Sequence, residues 1–238
     1  MTERHIIAGS GGFQYSNWQM RVGPIIRYAA ELTNKKRPKI AYIGTATGDA
    51  APRVSSFYDA CSRENLVPSH LELFPLPNHA NVEKFLLSQD IIWVGGGSVV
   101  NLLAVWRAHG LDSILREAWE HGVILMGSSA GSICWNIGGT TDSFGAELQP
   151  VTNGLGFLPY ASGVHYDSEE RRRPLFQKLI ESDVLPEGYA TDDGVSLHFI
   201  GTKLHQAVSD TSGKNAYHVY KTAQNTLIED VITPTLLS

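Results

Sequence analysis

The stretch Val-Ile-Leu-Met-Gly-Ser-Ser-Ala-Gly (residues 123–131) joins an apolar run to a segment of small residues, and the helix-like residues 132–137 follow it. A run that is apolar at every position indicates a strand buried on both faces, as in a parallel sheet covered by helices. The small residues indicate a sharp strand–turn–helix elbow, at which one serine hydroxyl projects alone above the sheet. This stretch therefore predicts an α/β fold with Ser129 at the carboxyl end of a strand.

Similar apolar runs recur along the chain and alternate with segments whose apolar residues have the three-and-four spacing of amphipathic helices. The runs predict strands at 5–8, 39–44, 71–74, 91–94 and 123–127. The spaced segments predict helices at 23–33, 54–65, 99–108 and 111–120. This repetition predicts a doubly wound, mostly parallel sheet flanked by helices.

The pattern changes in the last third of the chain. Residues 163–166 indicate another strand, and residues 169–181 indicate a helix with a basic face. Residues 195–200 together with 216–221 predict a C-terminal antiparallel hairpin. Because no stretch rich in proline, glycine or serine divides the chain, we expect all 238 residues to form a single domain.

The composition argues against several classes of protein. The 238 residues are 42% hydrophobic, and 24 acidic residues outnumber 19 basic ones, which gives a formal net charge of −5. Such a surface lacks the positive charge that holds a nucleic-acid backbone. The apolar run near the N-terminus is too short for a signal peptide or a membrane span, so we expect a cytoplasmic protein with no membrane partner.

No residue pattern predicts a metal or a cofactor. The two cysteines, Cys61 and Cys134, lie far apart and outside any CxxC spacing, which argues against a disulfide framework and against a zinc site. The histidines are scattered rather than grouped at ligand spacing. Acyl transfer to an activated serine needs no cofactor, so we expect none.

Two interpretations of Ser129 compete. A serine at the start of a helix very often only caps that helix, and Gly-x-Ser-x-Gly sequences occur by chance in long chains. The placement of this motif after a predicted parallel strand, beside a second glycine-rich loop, favours a catalytic nucleophile. Unpaired amides at the start of the helix would then favour negative charge near the hydroxyl.

The second loop, Gly95-Gly96-Gly97, has three interpretations. A dinucleotide fingerprint would require a third glycine where Val100 stands, so this interpretation is weak. Alternatively, the amide of Gly97 points across the cleft and forms an oxyanion hole with the amide of Ala130. A purely structural turn is the remaining interpretation.

Several motifs occur together in an order that is typical of one family. They are Ile-Ile-Trp-Val-Gly-Gly-Gly-Ser (91–98), Asn-Leu-Leu (101–103), Gly-Ser-Ser-Ala-Gly-Ser (127–132), Thr-Thr-Asp (140–142), Gly-Leu-Gly-Phe-Leu-Pro (154–159) and Val-His-Tyr (164–166). Over about residues 40–200, the chain resembles the peptidase E and cyanophycinase family of serine peptidases. The resemblance implies an α/β fold related to class I glutamine amidotransferases, with a Ser-His-acid site in that chain order.

The resemblance assigns roles to individual residues. Ser129 matches the family's nucleophile, and His165 matches its histidine. Asp193 matches the acid, with Asp142 as second choice and Asp192 as third. The chemistry requires the same residue types, because a serine hydroxyl needs an imidazole to accept its proton, and the imidazole needs a carboxylate to fix its tautomer. Without the resemblance, His165 would be taken for a structural histidine and the adjacent aspartates for a solvated turn.

The resemblance also implies a substrate. Peptidase E enzymes typically remove an N-terminal aspartate from dipeptides, and an arginine after the histidine motif is thought to hold its carboxylate. The candidates in this chain are Arg171, Arg172 and Arg173, since a guanidinium group suits carboxylate recognition. They lie beside Glu169 and Glu170, so a solvated helix face is the competing interpretation. We expect a small peptide substrate, with aspartyl specificity as a hypothesis.

Other functions stay open. An esterase of the α/β-hydrolase kind would pair Asp193 with a later histidine, His205 or His218. A cyanophycinase would cut a branched aspartyl-arginine polymer in an open groove. A binding module would keep the scaffold without catalysis. The helices that contain Trp106 and Trp119 predict either a homodimer face or core.

Overall fold

The computed structural model describes residues 3–16 and 19–238. The strands in them are β1 His5–Gly9, β2 Gln14–Ser16, β3 Gln19–Arg21, β4 Lys39–Ile43, β5 Val67–Leu71, β6 Ile91–Val94, β7 Ile124–Ser128, β8 Gly138–Thr141, β9 Gln149–Val151, β10 Ala161–Gly163, β11 Gly188–Thr191, β12 Val195–Ile200, β13 Lys203–Ser209, β14 Ala216–Lys221, β15 Leu227–Ile232 and β16 Thr235–Leu236. The helices are α1 Pro24–Leu32, α2 Ala51–Ser62, α3 Val82–Leu87, α4 Val99–Ala108, α5 Leu111–Glu120, α6 Ala130–Ile133 and α7 Arg172–Glu181, with a 3-10 turn at Thr45–Thr47.

Eight strands form one mixed sheet in the order β16-β13-β12-β1-β7-β6-β4-β5. Its centre is parallel, because β1 pairs with β7, β7 with β6, β6 with β4 and β4 with β5 in the same direction. On the other side of β1, the strands β12 and β13 continue the sheet in antiparallel pairing. This is the mostly parallel, doubly wound sheet that the repeated β-α pattern predicts.

Helices cover both faces of this sheet, and the alternation of side chains along β1 shows how. Ile6 belongs to the buried cluster that also contains side chains of α4 and α5. Its neighbour Ile7 belongs to the cluster on the opposite face, formed with side chains of α1 and α2. Since successive strand residues point to opposite faces, strands that are apolar throughout need a helical layer on each side.

A second sheet of six strands, in the order β15-β14-β11-β10-β8-β9, forms from the later part of the chain. Three of its strands, β8, β10 and β11, are parallel neighbours. The helix α7 packs on this sheet through Phe176, Leu179 and Ile180, which form a third buried cluster with strand residues such as Ala190. The sequence analysis did not separate this sheet from the first.

Several local predictions are wrong in detail, and one of them is the strand predicted at 163–166, which lies at Ala161–Gly163. The predicted C-terminal hairpin paired residues 195–200 with 216–221, but β12 pairs with β13 and β14 with β15, so two antiparallel hairpins form in different sheets. The predicted strand 71–74 lies earlier, at Val67–Leu71. The helix after the elbow is a single turn, α6, that ends before the predicted residue 137. The helix predicted at 169–181 begins only at Arg172.

The two tryptophans considered for a homodimer face are core residues. Trp106 is fully buried, and its indole nitrogen donates to the hydroxyl of Thr45 at 3.1 Å. Trp119 is also buried and stacks on Phe157. They therefore present no surface to a second copy. Among the described residues, no helix is both long enough and apolar enough to cross a membrane.

Candidate active site

Ser129 lies at the strand–turn–helix elbow that the sequence predicts, directly after β7 and before α6. Its backbone has φ 57° and ψ −116°, a positive φ that is uncommon for a residue other than glycine. Such strain is typical of a nucleophile at a sharp elbow. Ser129 occupies the N-cap position of α6, but its side chain makes no capping hydrogen bond. The capping interpretation therefore fails for this hydroxyl.

Glycines next to the elbow allow the close backbone contacts that set its shape. A Cβ atom at Gly127 would lie 2.1 Å from the carbonyl oxygen of Gly131. A Cβ atom at Gly131 would in turn lie 2.1 Å from the carbonyl oxygen of Val94 on β6. Real Cβ atoms do not approach backbone so closely, so any larger residue must displace β6 or β7. The amide of Ser129 donates to the carbonyl of Gly9 at 3.0 Å, which ties the elbow to β1.

The Gly95-Gly96-Gly97 loop follows β6 and lies beside the elbow. A Cβ atom at Gly96 would be 3.1 Å from the Cβ of Ser129, so the bare backbone of Gly96 faces the serine. Gly97, the residue chosen from the sequence, has φ 138° and packs against the carbonyl of Ala46 instead. Among the described backbone hydrogen bonds outside helices and strands, neither the amide of Gly96 nor that of Gly97 is a donor. The loop thus brings the backbone of Gly96 to the side of Ser129.

His165 follows β10 in the six-stranded sheet, and its ring lines the same cavity as Ser129. Its Nδ1 lies 2.6 Å from Oδ1 of Asp193, which follows β11. A carboxylate only accepts, so Nδ1 carries the proton and Nε2 is left as an acceptor. No direct hydrogen bond joins Ser129 to His165 in the part of the chain that the structure describes, and catalytic hydrogen bonds are often formed only with substrate bound.

The two alternative acids lie elsewhere. Asp142 is exposed, with its carboxylate 3.9 Å from the guanidinium of Arg172. Asp192 is buried and accepts from the amide of Asn215 at 2.9 Å and from the hydroxyl of Tyr217 at 3.4 Å. Burial raises the pKa of Asp192, and these hydrogen bonds only partly offset the effect. Of the three acids considered from the sequence, the structure brings Asp193 to the histidine.

Ser10, which the sequence analysis did not select, connects the loops that contain the candidate residues. Its hydroxyl accepts from the backbone amide of His165 at 2.9 Å and lies 2.8 Å from the hydroxyl of Thr191. Its backbone carbonyl accepts from Gly194 at 3.3 Å, next to Asp193. His165 itself has a positive φ of 53°, so this hydrogen bond holds a strained residue in place. The Gly-Ser-Gly-Gly sequence at the end of a predicted strand was the available signal.

A second set of contacts supports the acid loop from outside. Oδ1 of Asp167 accepts from the amide of Asp193 at 2.9 Å, and its other oxygen forms an ion pair with Lys214. Partial burial works to raise the pKa of Asp167, but the bonds from Lys214 and from the Asp193 amide outweigh it and lower the pKa. Asp167 therefore stays ionised and holds the backbone of Asp193.

The cavity at Ser129 has a volume of about 260 Å³. Besides the serine and the histidine, its lining includes aromatic and cationic side chains that sequence reasoning missed. These are Phe13, Tyr42, Arg53 and Trp93. They come from four different loops or elements, and no local sequence pattern connects them.

The three arginines chosen for substrate binding do not line this cavity. The guanidinium of Arg171 lies 3.3 Å from Glu147 at the surface. Arg172 is buried and donates to Glu169 at 2.7 Å and to the carbonyl of Thr140 at 2.5 Å. Arg173 pairs with Glu229 and lies over the ring of Tyr166. Each arginine therefore already binds protein acceptors, as the helix-face interpretation expects.

The later histidines considered for an esterase are remote from Asp193. His218 lies 3.2 Å from Glu187 and stacks on Tyr189. The ring of His205 packs against the ring of His198. In the described part of the chain, no group of three or more His, Cys, Asp or Glu side chains is placed to hold a metal ion.

Comparison with known proteins shows the family and the fold. A model of peptidase family S51 matches residues 5–207 of the chain. An uncharacterized peptidase of Bacillus subtilis (strain 168), YgaJ, is 43% identical over 219 residues, which cover 91% of this chain and 92% of that protein. Peptidase E of Shewanella denitrificans is 27% identical over 209 residues, or 77% of this chain and 85% of that protein. The crystal structure of a peptidase from an acI-B1 actinobacterium shares the fold, with a TM-score of 0.72 at 17% identity over 98% of this chain and 95% of that chain.

Proposed function

The chain belongs to peptidase family S51 and is a serine-type peptidase, and from this premise we propose that it is a dipeptidase that cleaves short peptides through an acyl-enzyme on Ser129. One observation carries the proposal. The strained, uncapped Ser129 lines one cavity with His165, whose ring is paired with Asp193 at 2.6 Å.

In the proposed reaction, Nε2 of His165 accepts the proton of Ser129 as Oγ attacks the scissile carbonyl carbon. The negative charge on the carbonyl oxygen is stabilised by the amide of Ala130 and by an amide of the Gly96-Gly97 loop. His165 then gives its proton to the leaving amine, and a water molecule repeats the cycle on the acyl-enzyme. Asp193 keeps Nδ1 protonated throughout and stabilises the charged ring.

The size of the cavity supports a short substrate. About 260 Å³ is below the usual volume of sites for drug-sized ligands, so it suits one or two residues rather than an extended polymer. This favours a dipeptidase over an enzyme that cuts a branched polymer. We propose an N-terminal aspartate as the preferred residue, following the resemblance to peptidase E.

The proposal is tested by labelling with a fluorophosphonate, followed by a panel of dipeptides. We expect the probe to modify Ser129 in the wild type and to leave Ser129→Ala unmodified, as read by peptide mass spectrometry. His165→Ala is expected to abolish dipeptide hydrolysis, whereas His218→Ala is expected to retain it. Labelling of a different residue, or hydrolysis that survives His165→Ala, would refute the mechanism.

A further inference from the structure

The charged side chains around the cavity are unevenly distributed. Among the described residues that line it, Arg53 is the only lysine or arginine, and none is an aspartate or a glutamate. Ser129 and His165, the reacting groups, lie in the same lining. A peptide bound for cleavage therefore meets one permanent positive charge and no fixed negative charge from the lining residues.

Aromatic side chains form part of the same lining as Arg53 and the reacting groups. Tyr42 is buried and stacks on Phe57 at 5.3 Å between ring centroids. Trp93 is buried and meets Phe13 edge-on at 5.3 Å. An ion pair beside such apolar surface is stronger than one in bulk water.

The helix dipole does not favour a cation at the position of Arg53. Arg53 lies in the first turn of α2, where the helix dipole disfavours positive charge. That turn contains no acidic residue, and no side chain caps the helix. The helix dipole therefore does not account for a basic residue in this place.

We propose that Arg53 binds a carboxylate of the peptide substrate and so sets the specificity of the site. This inference rests on the proposed peptidase function. It assigns the recognition of the carboxylate to α2 instead of α7. The arginines of the α7 region bind Glu147, Glu169 and Glu229. A guanidinium fork binds a carboxylate with two parallel hydrogen bonds, which gives geometry as well as charge.

Two carboxylates of a short peptide have this chemistry, and the substrates distinguish them. One is the side chain of an N-terminal aspartate, and the other is the free C-terminal carboxylate of a dipeptide. We would compare Asp-Leu with Asn-Leu, in which only the side-chain charge is removed. We would also compare Asp-Leu with Asp-Leu-amide, in which only the terminal charge is removed.

The variants are chosen to separate charge from structure. Arg53→Met keeps the aliphatic stem and removes the charge, whereas Arg53→Lys keeps the charge and loses the fork. Arg63→Met is the matched control, because Arg63 is at the opposite end of the same helix, exposed and paired with Asp59. Each variant is first labelled with the fluorophosphonate, which reports Ser129 independently of any substrate carboxylate.

We expect wild-type kcat/KM to favour one charged substrate over its neutral partner, and Arg53→Met to lose about 10- to 100-fold on that charged substrate only. Arg53→Lys should fall between the two, Arg63→Met should match the wild type, and labelling of Ser129 should persist in all. If wild type is labelled and cleaves peptides but shows no charge preference, or if Arg53→Met keeps that preference, the inference is overturned and the peptidase function stands. If wild type is not labelled, the proposed function itself fails, and this inference with it.

Discussion

The two halves of the candidate active site are held by different kinds of contact. Ser129 directly follows β7 at the centre of the eight-stranded sheet, where backbone atoms leave no room for a side chain at Gly127 or Gly131. His165 and Asp193 follow strands of the six-stranded sheet and are held by several hydrogen bonds in which side chains take part. The position of Ser129 is thus fixed by main-chain packing, whereas the positions of His165 and Asp193 depend on individual side chains.

This difference has a consequence for mutation. A substitution in the tightly packed half that leaves its backbone unchanged should remove chemistry without affecting the fold. Substitutions around His165 and Asp193 should instead give graded losses, because each removes one of several hydrogen bonds that orient the imidazole. The predictions below test this contrast.

The largest effect is expected for Ser129→Ala. Removal of the nucleophile should lower kcat on the best dipeptide by at least about 10,000-fold, as for other serine hydrolases of this design. The melting temperature should change by no more than about 2 °C, because the hydroxyl caps no helix and only one atom is lost. Steady-state kinetics and thermal unfolding measure the two quantities. Residual activity above one hundredth of wild type would contradict the assignment.

A smaller loss is expected for Asp193→Asn. The amide has a donor that favours the wrong tautomer of His165, and we expect a reduction in kcat of about 1,000-fold. The effect should be below that at Ser129, because the carboxylate of Asp193 is 44% exposed and water can partly replace it.

Asp142→Asn is the control for this acid. Its exposed carboxylate meets Arg172 only at 3.9 Å, so we expect a change in kcat of less than about threefold. Equal losses in the two variants would remove the distinction between the acids. A larger loss at Asp142 would reassign the role.

The same contrast explains what could be predicted from the sequence. The elbow at Ser129 and the helices α4 and α5 have strong local patterns, and the predicted bounds of both helices match the structure. The strands of the second sheet are three or four residues long in β8, β10 and β11, and β8 consists of two glycines and two threonines. Such strands have too little apolar periodicity to be distinguished from loops.

Tertiary contacts account for the functional residues that sequence reasoning missed. Ser10 and Arg53 are single polar residues, and only the folded chain brings them to the cavity or to His165. The arginines after the histidine motif were chosen because they are close to it in sequence. Their partners Glu147 and Glu229 lie 24 and 56 residues away, and no local pattern reveals them. The strand β5 was misplaced because it contains a proline and polar residues, as edge strands do.

A third prediction concerns a buried histidine on the antiparallel side of the eight-stranded sheet. His198 on β12 is buried there between His5 and Tyr28, with ring nitrogens 2.9 Å from Nδ1 of His5 and 2.7 Å from the hydroxyl of Tyr28. Burial, followed by repulsion from His5 and His205, lowers the pKa of His198 to about 4.

The unfolded chain binds a proton at this residue near pH 6.5, and the folded chain does so only near pH 4. Above pH 6.5 this residue should therefore cause no loss in the free energy of unfolding. As the pH drops from 6.5 to 4, the free energy of unfolding should fall by up to about 3 kcal/mol. Urea unfolding at pH 7.5, 6.0, 5.0 and 4.5 measures this slope. His198→Gln should be less stable at neutral pH but have a flatter slope, whereas His218→Gln should keep the wild-type slope. An unchanged slope in His198→Gln would contradict the prediction.

The smallest effect is expected at the residue that joins the two halves. The segment Gly9-Ser10 accepts from the amide of Ser129 on one side, and from the amides of His165 and Gly194 on the other. The backbone contacts persist in any variant, but the contact to His165 depends on the hydroxyl of Ser10. Ser10 therefore acts as a positioning residue for the imidazole rather than as a group that touches substrate.

Ser10→Ala should lower kcat about 5-fold and leave KM nearly unchanged, because one hydrogen bond is worth about 1 kcal/mol and the cavity lining stays intact. The rate of fluorophosphonate labelling at Ser129 should fall in parallel, since both reactions need the oriented imidazole. Ser10→Thr, which keeps a hydroxyl, should restore both rates, and Ser69→Ala on β5 should affect neither. A drop in melting temperature with unchanged kcat would mean that the hydroxyl only stabilises the fold, and that the backbone contacts alone align the two halves.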